Sequence, residues 1–138
     1  MLEFNLFLID YWYFSVPLFF FLFLFAYSEM NKGGKKIEPN ELTRLVNKEN
    51  AILIDLRKKE DYENGHIMTA LNYPHQEFDN QMHELDKFKE LPIILVCDMG
   101  RNSANIGEKL KKAEFKETFR LNGGMMTWTQ ENLPVIQK

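Results

Sequence analysis

The sequence predicts an α/β domain, a mainly parallel central sheet flanked by helices, preceded by one N-terminal transmembrane helix. Three observations predict it. Residues 1–28 hold only two charged side chains, Glu3 and Asp10, but 12 aromatic ones. Short apolar runs recur at 51–56, 70–73, 93–96 and 119–121, the length of buried strands. Between them lie polar stretches with helical spacing, and strands alternating with helices argue a parallel sheet. The 138-residue length excludes several large domains, and one cysteine excludes an internal disulfide framework and any Cys₄ or Cys₂His₂ zinc site. A net charge of −3 gives no case for a nucleic-acid partner.

The first ten residues form a short N-terminal segment. From Tyr11 to Tyr27, 17 residues carry no charge. At about 1.5 Å per residue they reach roughly 26 Å, close to the hydrocarbon thickness of a bilayer. Tyr11, Trp12 and Tyr13 at one end and Tyr27 at the other suit the two interfaces, and Pro17 is tolerated in a membrane helix. A cleaved signal peptide calls for a basic start, and this one carries Glu3 and Asp10. The transmembrane helix is therefore set at 11–28, inserted into membrane lipid. Lys32, Lys35 and Lys36 follow it, and no Lys or Arg precedes it. The positive-inside bias places the C-terminal part in the cytoplasm, giving a single-pass protein of the inner (plasma) membrane. An unpaired Cys97 fits that reduced compartment. Residues 29–36, with Gly33 and Gly34, read as a flexible linker. The domain occupies 37–138.

Within it, Pro39 suits a helix first turn, and Leu42, Leu45 and Val46 give a stripe to about Lys48. Ala51–Leu56 reads as a buried strand. Asp61–Asn64 is a helical turn closed by Gly65. Ala70–Tyr73 is a second strand, stopped by Pro74. Phe78, Met82, Leu85 and Phe88 step by one helical face. Ile93–Val96 is a third strand. Ser103 is expected to N-cap a helix bearing Ile106, Leu110 and Ala113. Phe119–Leu121 is the last strand, and Gly123-Gly124 turns into a terminal helix with Met125 and Trp128.

Cys97 is the first residue after a buried strand, with a helix starting near Ser103. Ligands of open parallel sheets bind beyond the carboxyl ends of the strands. The turn Cys97–Asn102 can aim backbone N–H groups inward, and the next helix adds its positive end. That arrangement favours an anion, so it supports a reactive thiolate; a small buried hydrophobe ending a strand is the other reading.

These residues resemble the rhodanese (sulfurtransferase) domain family. One match is Ile54-Asp-Leu-Arg57 with Tyr62-Glu-Asn-Gly-His-Ile67 and Ala70-Leu-Asn72. Another is Cys97-Asp-Met-Gly100 with Ser103, in place of the family's Cys-x-x-Gly-x-Arg-Ser loop. The third is Leu121-Asn-Gly-Gly124 with Trp128 and Leu133-Pro134. With the N-terminal helix, the chain is similar to membrane-anchored single-domain bacterial members. The resemblance implies a sulfurtransferase of the thiosulfate:cyanide type, moving sulfane sulfur from a donor through a Cys97 persulfide to a thiol or other thiophilic acceptor. It makes Cys97 the nucleophile. The backbone of Asp98, Met99, Gly100, Arg101, Asn102 and Ser103 becomes the substrate cradle. Asp55, Arg57 and His66 become supporting residues that brace neighbouring loops. It implies no cofactor and no metal.

The chain departs from the family at residue 102, where Asn102 replaces the usual loop arginine and Arg101 stands one place early. Asp98 adds a negative charge beside the thiol. The alternative reading is therefore a weak or inactive rhodanese-like module that binds a membrane or cytoplasmic protein partner. A Cys-x₅-Arg phosphatase or arsenate reductase needs an arginine where Ser103 stands. His75 and His83 make no metal set with His66 and are expected at the surface. The lysines from Lys109 to Lys116 alternate with glutamates, as a solvated helix face does.

Overall fold

A computed structural model describes residues 1–30 and 32–137. Asn31, inside the expected linker, and Lys138, at the end of the expected domain, lie outside the described residues. Two compact units divide the chain, the second starting at Lys32.

The first unit holds helix α1, Leu2–Asp10, and helix α2, Trp12–Met30. The segment expected only to precede the anchor is thus itself helical, broken from α2 at Tyr11, where the backbone turns to φ −114° and ψ 36°. The Phe7 and Tyr11 rings meet across that break at 5.0 Å. Pro17 lies inside α2. By length and composition α2 can cross a membrane, and none of its residues is buried in the protein.

The second unit is a five-stranded parallel sheet in the order β1-β5-β4-β2-β3. The strands are β1 Lys35–Ile37, β2 Ile52–Asp55, β3 Leu71–Asn72, β4 Pro92–Val96 and β5 Glu117–Leu121. Helix α3, Pro39–Glu49, starts with proline at its first turn and ends on Asn50 in the left-handed region. Helix α4 is Lys59–Asn64, α6 is Arg101–Lys112 and α7 is Gly124–Gln130. Strand β4 is buried on both faces. One face packs Leu42, Leu45, Leu53, Val96 and Trp128; the other packs Ile54, Leu95, Ile106, Leu110 and Phe78.

Several expectations are corrected. Lys35 and Lys36, assigned to the linker, lie in β1, which pairs with β5 through Lys35↔Phe119 and Ile37↔Leu121. Their side chains are exposed, so their composition reads as linker while their backbone fills the edge of β5. Gly33 and Gly34 are buried rather than part of a loose tether. Both have positive φ, and a Cβ on either would collide with backbone of Ala104 or Thr118. The helical stripe 78–88 is a single α-helical turn, α5, Phe78–Gln81, between 3₁₀ turns at His75–Glu77 and Met82–Phe88. Spacings of three suit a 3₁₀ turn, and Phe78 and Leu85 are buried all the same. Ser103 is not an N-cap: α6 starts two residues earlier, after Gly100 at φ 89°, and the Ser103 hydroxyl donates back to the Gly100 carbonyl at 2.9 Å. Gly65 does close α4, its N–H donating to the Tyr62 carbonyl, but with an extended φ of 165°, and the helix starts at Lys59 rather than Asp61.

Gly33 and Gly34 form a strap laid against α6, which makes Gly107 a testable position. A Cβ on Gly107 would collide with the Gly33 carbonyl. Helix propensity alone favours alanine there by about 1 kcal/mol. Gly107→Ala is nonetheless expected to destabilise by about 1–3 kcal/mol, because the strap must move. Chemical denaturation checks the sign; a stabilised variant would show that the strap is not held where α6 meets it.

Candidate active site

Cys97 follows β4 and is 3% exposed. It lies on the sheet face covered by α6, with Leu95 and Ile106. Its Sγ accepts the Gly100 N–H at 2.8 Å. Gly100 reaches that position because its φ of 89° folds the loop back before α6 begins. Among the described residues, Gly100 is the cradle residue whose N–H is bonded to the sulfur. The loop is clamped from α7: Met125 N–H donates to the Cys97 carbonyl at 2.7 Å and Met126 N–H to the Asp98 carbonyl at 3.0 Å. That approach requires Gly124, whose φ is 58° and whose missing side chain would strike the Cys97 carbonyl. Asp98, Met99 and Arg101 are exposed, Asn102 is half-buried and Ser103 is buried.

Of the expected supporting residues, Arg57 lines a cavity with Asp98 of this loop and Asp55 pairs with Arg57, whereas His66 packs on Tyr62. Asp55, 1% exposed, accepts the Arg57 backbone N–H and a bidentate grip from its guanidinium, the shortest bond being 2.8 Å. Arg57 Nη2 also donates to the Gly65 carbonyl at 2.7 Å. Burial opposes the Arg57 charge, but the hydrogen bond and attraction of Asp55 overcome it and hold the guanidinium above its ordinary pKa. His66 is buried and stacks on Tyr62 at 3.8 Å, with Nδ1 2.7 Å from the Tyr62 carbonyl. Its backbone forms a two-way bridge to Ile136. The Tyr62 hydroxyl donates to the Ala70 carbonyl at 2.6 Å. Burial, and secondarily the Asp55 charge, raise its pKa.

Sequence reasoning missed three features. Asn72 Nδ2 donates to the Asp55 and Arg57 carbonyls, tying β3 to the loop after β2. A cavity of about 370 Å³ beside the Cys97 loop is lined by Arg57, Asp61, Asp98, Met125 and Thr129, among others. Arg120 on β5 is 5% exposed on the same sheet face as Cys97. The available signal for Arg120 was a lone cation within an apolar strand.

The family model of the rhodanese-like domain matches residues 38–131. The chain belongs to the rhodanese-like domain family. The YibN protein of Escherichia coli (strain K12) is 35% identical over 113 residues, covering 81% of this chain and 79% of YibN. The thiosulfate sulfurtransferase GlpE of Coxiella burnetii (strain RSA 331 / Henzerling II) is 32% identical over 94 residues, covering 68% of this chain and 86% of GlpE. Among solved structures, a rhodanese-related protein from Thermoplasma volcanium superposes with a TM-score of 0.68 at 21% identity, covering 75% of this chain and 99% of that one. This rhodanese-like domain therefore has sulfurtransferase relatives at modest identity and shares the family's parallel-sheet architecture.

Proposed function

We propose that the protein is a membrane-anchored sulfurtransferase whose nucleophile and sulfur carrier is Cys97. The observation that carries this reading is the Gly100 N–H aimed at Cys97 Sγ at 2.8 Å, in a loop that opens into the start of α6. An N–H donor and a helix N-terminus both favour negative charge on that sulfur. The kinship with thiosulfate sulfurtransferase GlpE supports the same chemistry. The Cys97 thiolate attacks the outer sulfur of a sulfane donor. A new S–S bond forms, the donor's S–S bond breaks, and its electron pair leaves with the remainder, sulfite in the case of thiosulfate. An acceptor thiolate or cyanide then attacks the outer persulfide sulfur, and the cysteine thiolate departs. No net oxidation occurs. Helix α2 supplies the anchor in membrane lipid, and the lysines after it favour a cytoplasmic domain.

Asn102 favours a second reading, a weak or inactive module that docks a protein partner, because no arginine stands at 102 to hold a donor dianion. The two readings separate on the full chain in detergent. Incubation with thiosulfate or polysulfide is expected to add about 32 Da, one sulfur, to the intact mass. No adduct with any donor overturns the transferase reading. Asn102→Arg is expected to raise thiosulfate:cyanide kcat/KM about tenfold through a charge-assisted grip on the donor. An unchanged rate would mean that residue 102 does not limit donor binding.

A further inference from the structure

The cavity of about 370 Å³ beside the Cys97 loop has no occupant in the chemistry above. Its charged lining residues are Arg57, Asp61 and Asp98. Asp98 follows Cys97 directly, with Cα atoms about 3.8 Å apart. The Met126 N–H holds the Asp98 carbonyl at 3.0 Å, and the N–H of Met125, itself a lining residue, holds the Cys97 carbonyl at 2.7 Å. These bonds fix the cysteine and the cavity in one frame. Asp61 comes from the first turn of α4. Both carboxylates are exposed, and neither side chain has a salt bridge or hydrogen bond among the described residues. Arg57 does not balance them. Asp55 grips its guanidinium, and Nη2 also donates to the Gly65 carbonyl. Asp98 and Asp61 act on that same guanidinium through space, after Asp55, so three carboxylates share one cation. Arg101, exposed at the start of α6, lies outside the lining. The volume suits one small molecule, and Met125 and Val135 add an apolar part to the lining that suits a short alkyl chain.

We propose that Asp98 and Asp61 make this cavity the acceptor side of the Cys97 site and set its specificity for an aminothiol, a small thiol that carries a positive charge. This deepens the sulfur-transfer reading and rests on it. With the ammonium group in the cavity, the acceptor thiolate attacks the outer sulfur of the Cys97 persulfide. An S–S bond forms to the acceptor, the S–S bond to Cys97 breaks, and its electron pair leaves on the Cys97 thiolate. The same carboxylates oppose a dianionic donor, as the lack of an arginine at 102 does.

Thiol–disulfide exchange at Cys97 tests the charge preference without a sulfur donor. The full chain in nonionic detergent at low salt is treated with cystamine, bis(2-hydroxyethyl) disulfide or dithiodiglycolate, whose arms are cationic, neutral and anionic. Intact mass follows each rate, which is divided by the rate of the same disulfide with free mercaptoethanol to remove intrinsic reactivity. The corrected cystamine:dithiodiglycolate ratio is expected to be about ten. Asp98→Asn should lower it about threefold and Asp61→Asn about twofold, while the neutral disulfide changes little. A merely structural role would move all three rates together. A corrected ratio at or below one overturns the proposal, as does a ratio that neither folded variant lowers. Either result beside an intact sulfur adduct leaves the transferase reading standing. Loss of the adduct with the charge preference intact sinks only that reading, and a Cys97 that reacts with none of the three disulfides overturns both.

Discussion

Cys97→Ser is expected to abolish sulfur uptake, with the mass adduct absent and the thiosulfate-dependent rate down about 10⁴-fold or more. Serine keeps the size of the side chain and can accept the Gly100 N–H that Sγ accepts at 2.8 Å. The fold is therefore expected to survive, with stability within about 1 kcal/mol of wild type. What the hydroxyl lacks is the nucleophilicity of a thiolate and a sulfur able to form an S–S bond. A residual rate within tenfold of wild type would place the nucleophile elsewhere. Cys97 is the sole cysteine, so no second thiol is present to take over. A functional rescue by the serine variant in cells, with chemistry absent, would favour the docking reading.

Strands with apolar side chains on both faces announce themselves in the sequence. Ile93–Val96 reads as a buried strand because it is one, and Cys97 follows it. The motif marks Asp55 and Arg57 as bracing residues, and the folded chain shows that they grip each other. The strap escaped because its information lies in backbone. Gly33 and Gly34 leave no side chain to read, Lys35 and Lys36 point to solvent, and their partners are 70 or more residues away. Arg120 escaped because a single charge in a strand is usually an outward-facing one, and only register shows that it faces α6. The tail bridge between His66 and Ile136 joins two segments that carry no periodic signal. Local pattern thus marks the sheet and the loop, whereas the long-range polar contacts that fix the loop's surroundings require the folded chain.

Those surroundings have their largest energetic stake at Asp55. Asp55→Ala is expected to destabilise the domain by about 3–5 kcal/mol, a fall in Tm of roughly 15–30 °C. The carboxylate is 1% exposed and accepts the Arg57 backbone N–H and both Nε and Nη2. Its removal leaves a guanidinium 9% exposed with no counter-ion in contact among the described residues. Asp98 and Asp61 also act on Arg57, but after Asp55, and Asp98 is exposed to solvent, so they offset part of the loss only. Asp55→Asn separates charge from shape: it retains an acceptor and should cost less than alanine. Arg57→Met made together with Asp55→Ala should recover much of the loss, since neither charge is then buried alone, although the Gly65 carbonyl loses its donor. Chemical denaturation of wild type, Asp55→Ala, Arg57→Met and the double variant closes the cycle. A cost below about 1 kcal/mol for Asp55→Ala would mean that the pair behaves as a surface one, solvated through the cavity that Arg57 lines.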